Sequence, residues 1–169
     1  MTLTLRAATA TDIAHMQTLE RDAAQAFRAV GYDFCADGPV RNTEEHERGQ
    51  REGATIIAEI GDEAVGFIML WPVDSHAHLT EISVSQQFQQ RGIGRTLITA
   101  GENWARENGF DTITLTTIRD IFWNAPFYRS LGYIEYEPGE IEYDLAAIQA
   151  EEAHSGFNGK ARIVMKKLL

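Results

Sequence analysis

An α/β layer fold is what the sequence predicts, on three observations. Period-2 alternation of apolar and polar residues takes turns along the chain with apolar residues at three- and four-residue spacing, so strands alternate with helices. Thr80 to Gly94, TEISVSQQFQQRGIG, reads as strand, glycine-bearing turn and helix start. At 169 residues, 44% hydrophobic and 24% charged, the chain has the size and composition of one soluble domain, 1–169, with a sizeable core.

Met1 to Ala8 sets Leu3, Leu5 and Ala7 against Thr and Arg and reads as a first strand. Thr9 or Thr11 can cap a helix from Asp12 to about Arg28, with Ile13, Met16, Leu19, Ala23, Ala26 and Phe27 on its apolar face and Gly31 as its stop. Tyr32 to Arg41 holds Gly, Pro and two Asp and is expected to be loop. Thr43 starts a short polar helix to about Arg51. Ala54 to Glu59 and Ala64 to Trp71 form a hairpin around Gly61-Asp62, closed by Pro72. His78 to Ser85 is a central strand. Ile93 to Glu107 is a helix with Leu97, Ile98 and Trp104 toward the core and Asn108-Gly109 as its end. Thr112 to Thr117 is β-branched strand. Pro126 suits the first turn of a short helix to Leu131, stopped by Gly132, and Tyr133 to Glu137 is strand. Pro138-Gly139 begins an insertion with a helix from about Tyr143 to Ala153, and Ala161 to Leu168 is the last strand.

The turn between strand and helix carries the first chemistry. Its unpaired main-chain N–H groups and the positive end of a helix dipole suit a phosphate, and glycine allows close backbone approach. The spacing is neither GxxxxGK[ST] nor GxGxxG with a following acid, which excludes two nucleotide-binding patterns. What stands here is Gln89-x-x-Gly92-x-Gly94 after a strand ending at Val84.

With 15 basic and 25 acidic residues the net charge is −10, which argues against nucleic acid as a partner. An acidic surface serves solubility and also attracts a cationic substrate. No apolar run approaches a membrane span, residues 1–30 lack the pattern of a secretory leader, and Cys35 stands alone, with no cysteine pair for a disulfide or zinc. The expectation is a cytoplasmic protein without metal or membrane partner.

Gln89-x-x-Gly92-x-Gly94 in its strand–helix setting resembles motif A of the GNAT superfamily of acetyl-CoA-dependent N-acetyltransferases. Asn124-Ala-Pro-Phe-Tyr128-Arg-Ser-Leu-Gly132-Tyr133 resembles its motif B, and WNAPFY looks like a subgroup of small enzymes without one agreed substrate. The order of elements matches that family throughout. The resemblance implies a mixed central sheet splayed between its fourth and fifth strands and flanked by helices.

It also implies acetyl-CoA as acyl donor. The pyrophosphate would be held by main-chain amides of Gln89, Gln90, Arg91, Gly92, Ile93, Gly94 and Arg95, and the pantetheine arm would pair with the strand at Ile82, Ser83 and Val84. Arg91 and Arg95 flank the turn and could reach phosphate oxygens. In the family a tyrosine at the place of Tyr128 often protonates the departing thiolate, a role a phenol can fill. Many members carry Asn seven residues before that tyrosine; here Ile121 stands there, and Asn124, four residues before it, is assigned to the cofactor chain.

An alkylamine acceptor with a pKa of about 10.4 is cationic at neutral pH and must lose a proton before it attacks. Glu81 is the lead candidate base and His78 its competitor. Without a catalytic pattern around Cys35, direct transfer is expected rather than an acyl-enzyme. The acceptor pocket is expected from Glu20, Asp22, Phe27, Tyr32, Asp33, Phe34, Asp37, Trp71, Trp123, Glu140 and Glu142, acidic and aromatic groups that suit a small amine cation. The expected activity is acetyl transfer to a primary amine of a small molecule. The alternatives are a protein N-terminus or lysine as acceptor, and an acyl-CoA-binding sensor without catalysis. Dimers are common in the family, and a homodimer is an open expectation.

Overall fold

The computed structural model describes residues 2–137, 139–157 and 162–169. The chain divides into two compact units, Met1–Trp71 with Thr80–Trp104, and Pro72–Leu79 with Ala105–Leu169.

The first unit is built on strands β1 (Leu3–Ala7), β2 (Ala54–Ile60), β3 (Glu63–Val73) and β4 (His76–Val84), neighbours in that order, with the end of β4 contributed here. β1 lies antiparallel to β2 with Leu3 opposite Ile60, and β2 antiparallel to β3 with Thr55 opposite Met69 and Ile57 opposite Phe67. β3 is buried from Val65 to Trp71 without alternation, as a strand covered on both faces must be. Its helices are α1 (Ile13–Ala24), α2 (Asp33–Ala36), α3 (Thr43–Glu52) and α4 (Ile93–Glu107). α1 buries Ile13, Met16 and Leu19, and α4 buries Leu97 and Ile98, the expected stripes.

In the second unit the start of β4 runs parallel to β5 (Thr112–Ile118), His78 opposite Thr114 and Leu79 opposite Leu115. β7 (Arg162–Leu168) pairs antiparallel with β5 on one side and with β6 (Ile134–Glu135) on the other. α5 (Ala125–Ser130) and α6 (Tyr143–Glu152) complete it. The sheet is therefore mixed and helix-flanked, as the resemblance implied. Ala77, His78 and Leu79 of β4 pair in parallel with Ile113, Thr114 and Leu115 of β5.

Several boundaries differ from expectation for local reasons. The first helix gives way at Ala24 to a tighter 3-10 segment, Gln25–Val30, before Gly31 ends it at φ 81°. The expected loop after it contains α2, a single turn in which Asp37 N–H donates to Asp33 C=O. Pro72 does not close β3, which runs on to Val73; the proline is exposed there and needs no ladder donor. Trp104 is half-buried and lines an open groove of about 470 Å³ with Leu5, Ile56 and Ala100. β6 is shorter than Tyr133 to Glu137. Met1, the Pro138 that begins the insertion and the Ala161 that begins the last strand lie outside the described residues.

α3 packs against the β2–β3 face closely enough to fix two residue choices. A Cβ on Gly53 would stand 1.8 Å from Leu70 O, an approach only glycine permits. His46 on the same helix is fully buried, its ring 5.8 Å from that of Phe67, and neither ring nitrogen has a hydrogen-bond partner. Burial pushes its imidazole below the ordinary range, and the Arg41 guanidinium adds to this while Glu45 opposes it.

Gly53→Ala is expected to destabilise the fold by about 3 kcal/mol, read as a lower urea midpoint. For His46 the unfolded chain takes up the proton first, near pH 6.5, so stability falls as pH drops below that value, by up to about 1.4 kcal/mol per pH unit. His46→Leu should remove this component. Parallel stability–pH curves for the two proteins between pH 7.5 and 5.5 would contradict the assignment.

Candidate active site

Glu81 lies on β4 within the first unit, and the residues that surround it come from four elements. Ser83, buried two positions along the strand, donates its hydroxyl to Glu81 Oε1 at 3.0 Å. Arg41, just before α3, places its Nε 3.5 Å from Glu81 Oε2, an ion pair longer than a hydrogen bond. The same guanidinium donates to Thr80 C=O at 2.7 Å and to Glu45 Oε1 at 3.0 Å. Its carbon stands 5.9 Å from the Trp71 ring centroid, and that of Arg48 4.7 Å from the same ring.

α1 grips the Arg41 peptide from both sides. Glu20 accepts the Arg41 N–H with its two carboxylate oxygens, at 3.0 and 3.2 Å, and Gln17 Nε2 donates to Arg41 C=O at 3.0 Å. Burial, together with the negative charge of Glu81, pushes the Glu20 carboxyl up to about 8, against the pull of the Arg41 N–H and guanidinium. Glu45 reaches Arg41 because α3 starts in a capping box, Asn42 Oδ1 accepting from Glu45 N–H and Glu45 Oε2 from Asn42 N–H.

Beyond Glu81 the chain makes the expected turn. Gln86–Phe88 is a 3-10 turn, Gln90 and Gly92 take left-handed φ of 61° and 83°, and α4 begins at Ile93. A Cβ on Gly92 would meet no atom within 4 Å, so the turn opens outward at the place where an anion would approach. The first intrahelical bond runs from Thr96 N–H to Gly92 C=O, which leaves the amides of Ile93, Gly94 and Arg95 ahead of it. Gln89 uses its side chain to close the turn, Nε2 donating to Val84 C=O at 3.0 Å. Arg91 is exposed, its guanidinium 5.2 Å from the Phe88 ring centroid, and Arg95 is exposed as well. Ile82 and Val84 are half-buried on β4. Asp22 ties α1 to this segment by accepting Gln86 N–H at 2.9 Å and Gln86 Nε2 at 3.1 Å. Burial works against its charged form, but these donors outweigh it and hold the carboxyl low.

The other candidates belong to the second unit. His78 is buried, its Nδ1 2.9 Å from Thr114 Oγ1 on the paired strand. Tyr128 sits on α5 with Pro126 in the first turn, buried, its ring 5.7 Å from that of Tyr133. Asn124 caps the chain ahead of α5: its Oδ1 accepts the Thr117 hydroxyl at 2.9 Å and its C=O accepts Tyr128 N–H. Ile121, at the family's asparagine position, is buried.

Several residues expected around the acceptor are spoken for. Asp33 and Asp37 both pair with Arg28, Glu140 pairs with Lys166 at 3.2 Å, and Glu142 lies 2.9 Å from His76 Nε2. Phe34 packs 5.7 Å from Tyr32, and Trp123 makes an edge contact with Phe122. Phe27 lies in the 3-10 segment after α1. What sequence reasoning missed is Arg41 with Glu45. The Asn42-x-x-Glu45 capping box was a readable signal for the start of α3, but nothing local marks Arg41 as the partner of Glu20 and Glu81.

A profile of the Acetyltransferase (GNAT) family matches residues 16–133, more than half of the chain. Among solved structures, a GNAT-family acetyltransferase from Staphylococcus aureus Mu50 is 16% identical with a TM-score of 0.75, covering 99% of both chains. PaiA N-acetyltransferase from Thermoplasma acidophilum, in complex with coenzyme A, is 16% identical over the whole of both chains, with a TM-score of 0.73. The ribosomal-protein-S18-alanine N-acetyltransferase of Escherichia coli is 17% identical over 99% of this chain and 94% of its own, with a TM-score of 0.71. At these identities the three structures establish the fold. The family match together with that fold and both motifs carries the conclusion that this chain belongs to the GNAT family of acetyltransferases.

Proposed function

We propose that the protein is an acetyl-CoA-dependent N-acetyltransferase, one catalytic domain acting in the cytoplasm, that passes the acetyl group directly to a primary amine of a small cationic molecule. The observation that carries the reading is the outward-opening turn at Gln90–Gly92 and the start of α4, which follows directly on the strand that bears Glu81. The donor set fits a pyrophosphate: main-chain amides at a helix start, no side chain over Gly92, and two exposed arginines. The coenzyme A complex of the Thermoplasma protein supports the same donor.

Bound acetyl-CoA supplies the acyl carbon. Glu81 takes a proton from the acceptor ammonium, whose nitrogen can then attack. Its surroundings support it over His78: Glu81 is flanked by a hydroxyl and a guanidinium and partly open to solvent, whereas His78 is buried against Thr114. Tyr128 serves as the acid for the thiolate, with its helix held by Asn124.

Purified protein should bind acetyl-CoA in a calorimetric titration and release free thiol only when a suitable amine is added. Binding without release across a panel of small amines would redirect the acceptor to a protein or make the chain a sensor; no binding would overturn the reading. Gly92→Glu, which puts a carboxylate where the anion approaches, should abolish acetyl-CoA binding. Tyr128→Phe should lower kcat by about a hundredfold or more while leaving acetyl-CoA affinity within about twofold. Full turnover in that variant would remove the tyrosine from the chemistry.

A further inference from the structure

Three carboxylates, Glu20, Glu45 and Glu81, surround one guanidinium in the first unit, and each is attached to Arg41 differently. Glu45 holds a guanidinium nitrogen and, with its other oxygen, the Asn42 N–H. Glu20 is bound to the Arg41 main chain. Glu81 stands 3.5 Å from Nε, a buried nitrogen that has no hydrogen-bond partner. The residue is also fixed by Gln17 at its C=O, by Thr80 C=O at the guanidinium and by the Trp71 ring. Arg48 makes the other cation contact of Trp71, and the buried His46 imidazole feels the charges of Arg41 and Glu45.

We infer that Arg41 is a positioning residue for acetyl transfer, one that makes Glu20 and Glu81 a single proton-accepting unit by fixing Glu20 through its main chain and Glu81 through its guanidinium. The inference rests on the proposed N-acetyltransferase reading. In the reaction one N–H bond of the ammonium breaks and an O–H bond forms on Glu81. The freed nitrogen pair forms the C–N bond as the C–S bond breaks, and the second N–H proton is matched by the one the thiolate receives. One proton is thus left over per turnover. Glu20, buried and repelled by the charge of Glu81, holds its own proton at neutral pH, which leaves Glu81 as the ionised member of the pair; the leftover proton passes from Glu81 to solvent. Nε held close to Glu81 without closing a hydrogen bond keeps the carboxylate oriented while its oxygen changes partners.

Side-chain replacement leaves the main-chain grip on Glu20 intact, so the two attachments separate cleanly. The test is a carbon-13 NMR titration of glutamate side-chain carboxyls in wild type, Glu81→Gln, Arg41→Gln and Arg41→Lys, beside the pH profile of kcat/KM on an amine identified by thiol release. Glu20 should titrate near 8 in wild type, and Glu81→Gln should lower that midpoint by about one unit or more. Arg41→Gln should raise the carboxyl midpoints and move the acid limb of kcat/KM upward by about one unit, with about a tenfold loss near pH 7. Arg41→Lys, which keeps the charge, should bring the limb back toward wild type. A Glu20 midpoint indifferent to Glu81→Gln overturns the inference, as does an acid limb unmoved in Arg41→Gln. The NMR result stands whether or not the wild type turns over, so failure of the N-acetyltransferase reading would appear separately, as absent thiol release.

Discussion

The contact on which the polar face of the first unit depends is the grip of α1 on the peptide of Arg41. Glu20 and Gln17, one turn apart on the helix, take its N–H and donate to its C=O. That fixes where α3 can begin, because Asn42, the next residue, is its cap. It also fixes where the guanidinium goes, since a side chain of limited length must then reach Thr80 and Glu81 on β4. A single main-chain contact thus sets the distance between α1, α3 and β4. Without it Glu81 would be an ordinary half-buried strand residue; with it, the carboxylate is placed beside a fixed cation, a hydroxyl and a second carboxyl.

Much of the fold could be read from local pattern, and the reason is visible in β4 and α4. Alternation through Glu81, Ile82, Ser83 and Val84 and the apolar stripe of Leu97 and Ile98 are single-element signals, and α4 runs over the residues its pattern marked. Gly92 was legible because its positive φ is something few other residues supply. Gln90 was not, since a glutamine in the left-handed region leaves no compositional mark and is held by its surroundings. α2 escaped for the same reason: four residues carry too little periodicity to distinguish one helical turn from loop. The coupling of Glu20 to Glu81 spans sixty-one positions, beside an arginine that belongs to neither element. No local rule reaches that far.

The acidic composition takes on a narrower meaning once partners are assigned. As a bulk property, −10 suggested attraction of a cation by the whole surface. In the structure Asp33 and Asp37 answer Arg28, Asp12 and Glu59 answer Arg6, Glu140 answers Lys166, and Asp22 satisfies Gln86. Exposed pairs of this kind add little stability, but each removes a carboxylate from the set that could recognise a ligand. Around Arg41 the balance differs, with three carboxyls to one guanidinium. Glu20 is held largely protonated by burial, so the negative charge there rests on Glu45 and Glu81, next to the strand of motif A.

Glu20 and His46 are two titratable groups of the first unit that burial shifts. Burial disfavours the charged form of each, raising the carboxyl and lowering the imidazole. For Glu20 the stabilising contribution of the protonated form is complete below the unfolded value near 4.3 and is lost as pH rises toward 8. At neutral pH, therefore, the carboxyl pair is already a burden on the folded state. Replacing Glu20 by glutamine would relieve it while an amide oxygen still accepts the Arg41 N–H. A buried carboxyl kept at such a cost beside another carboxylate is the kind of perturbed group that clusters at functional sites. The same burial that makes Glu20 expensive keeps it protonated near neutral pH, so Glu81 carries the negative charge of the pair.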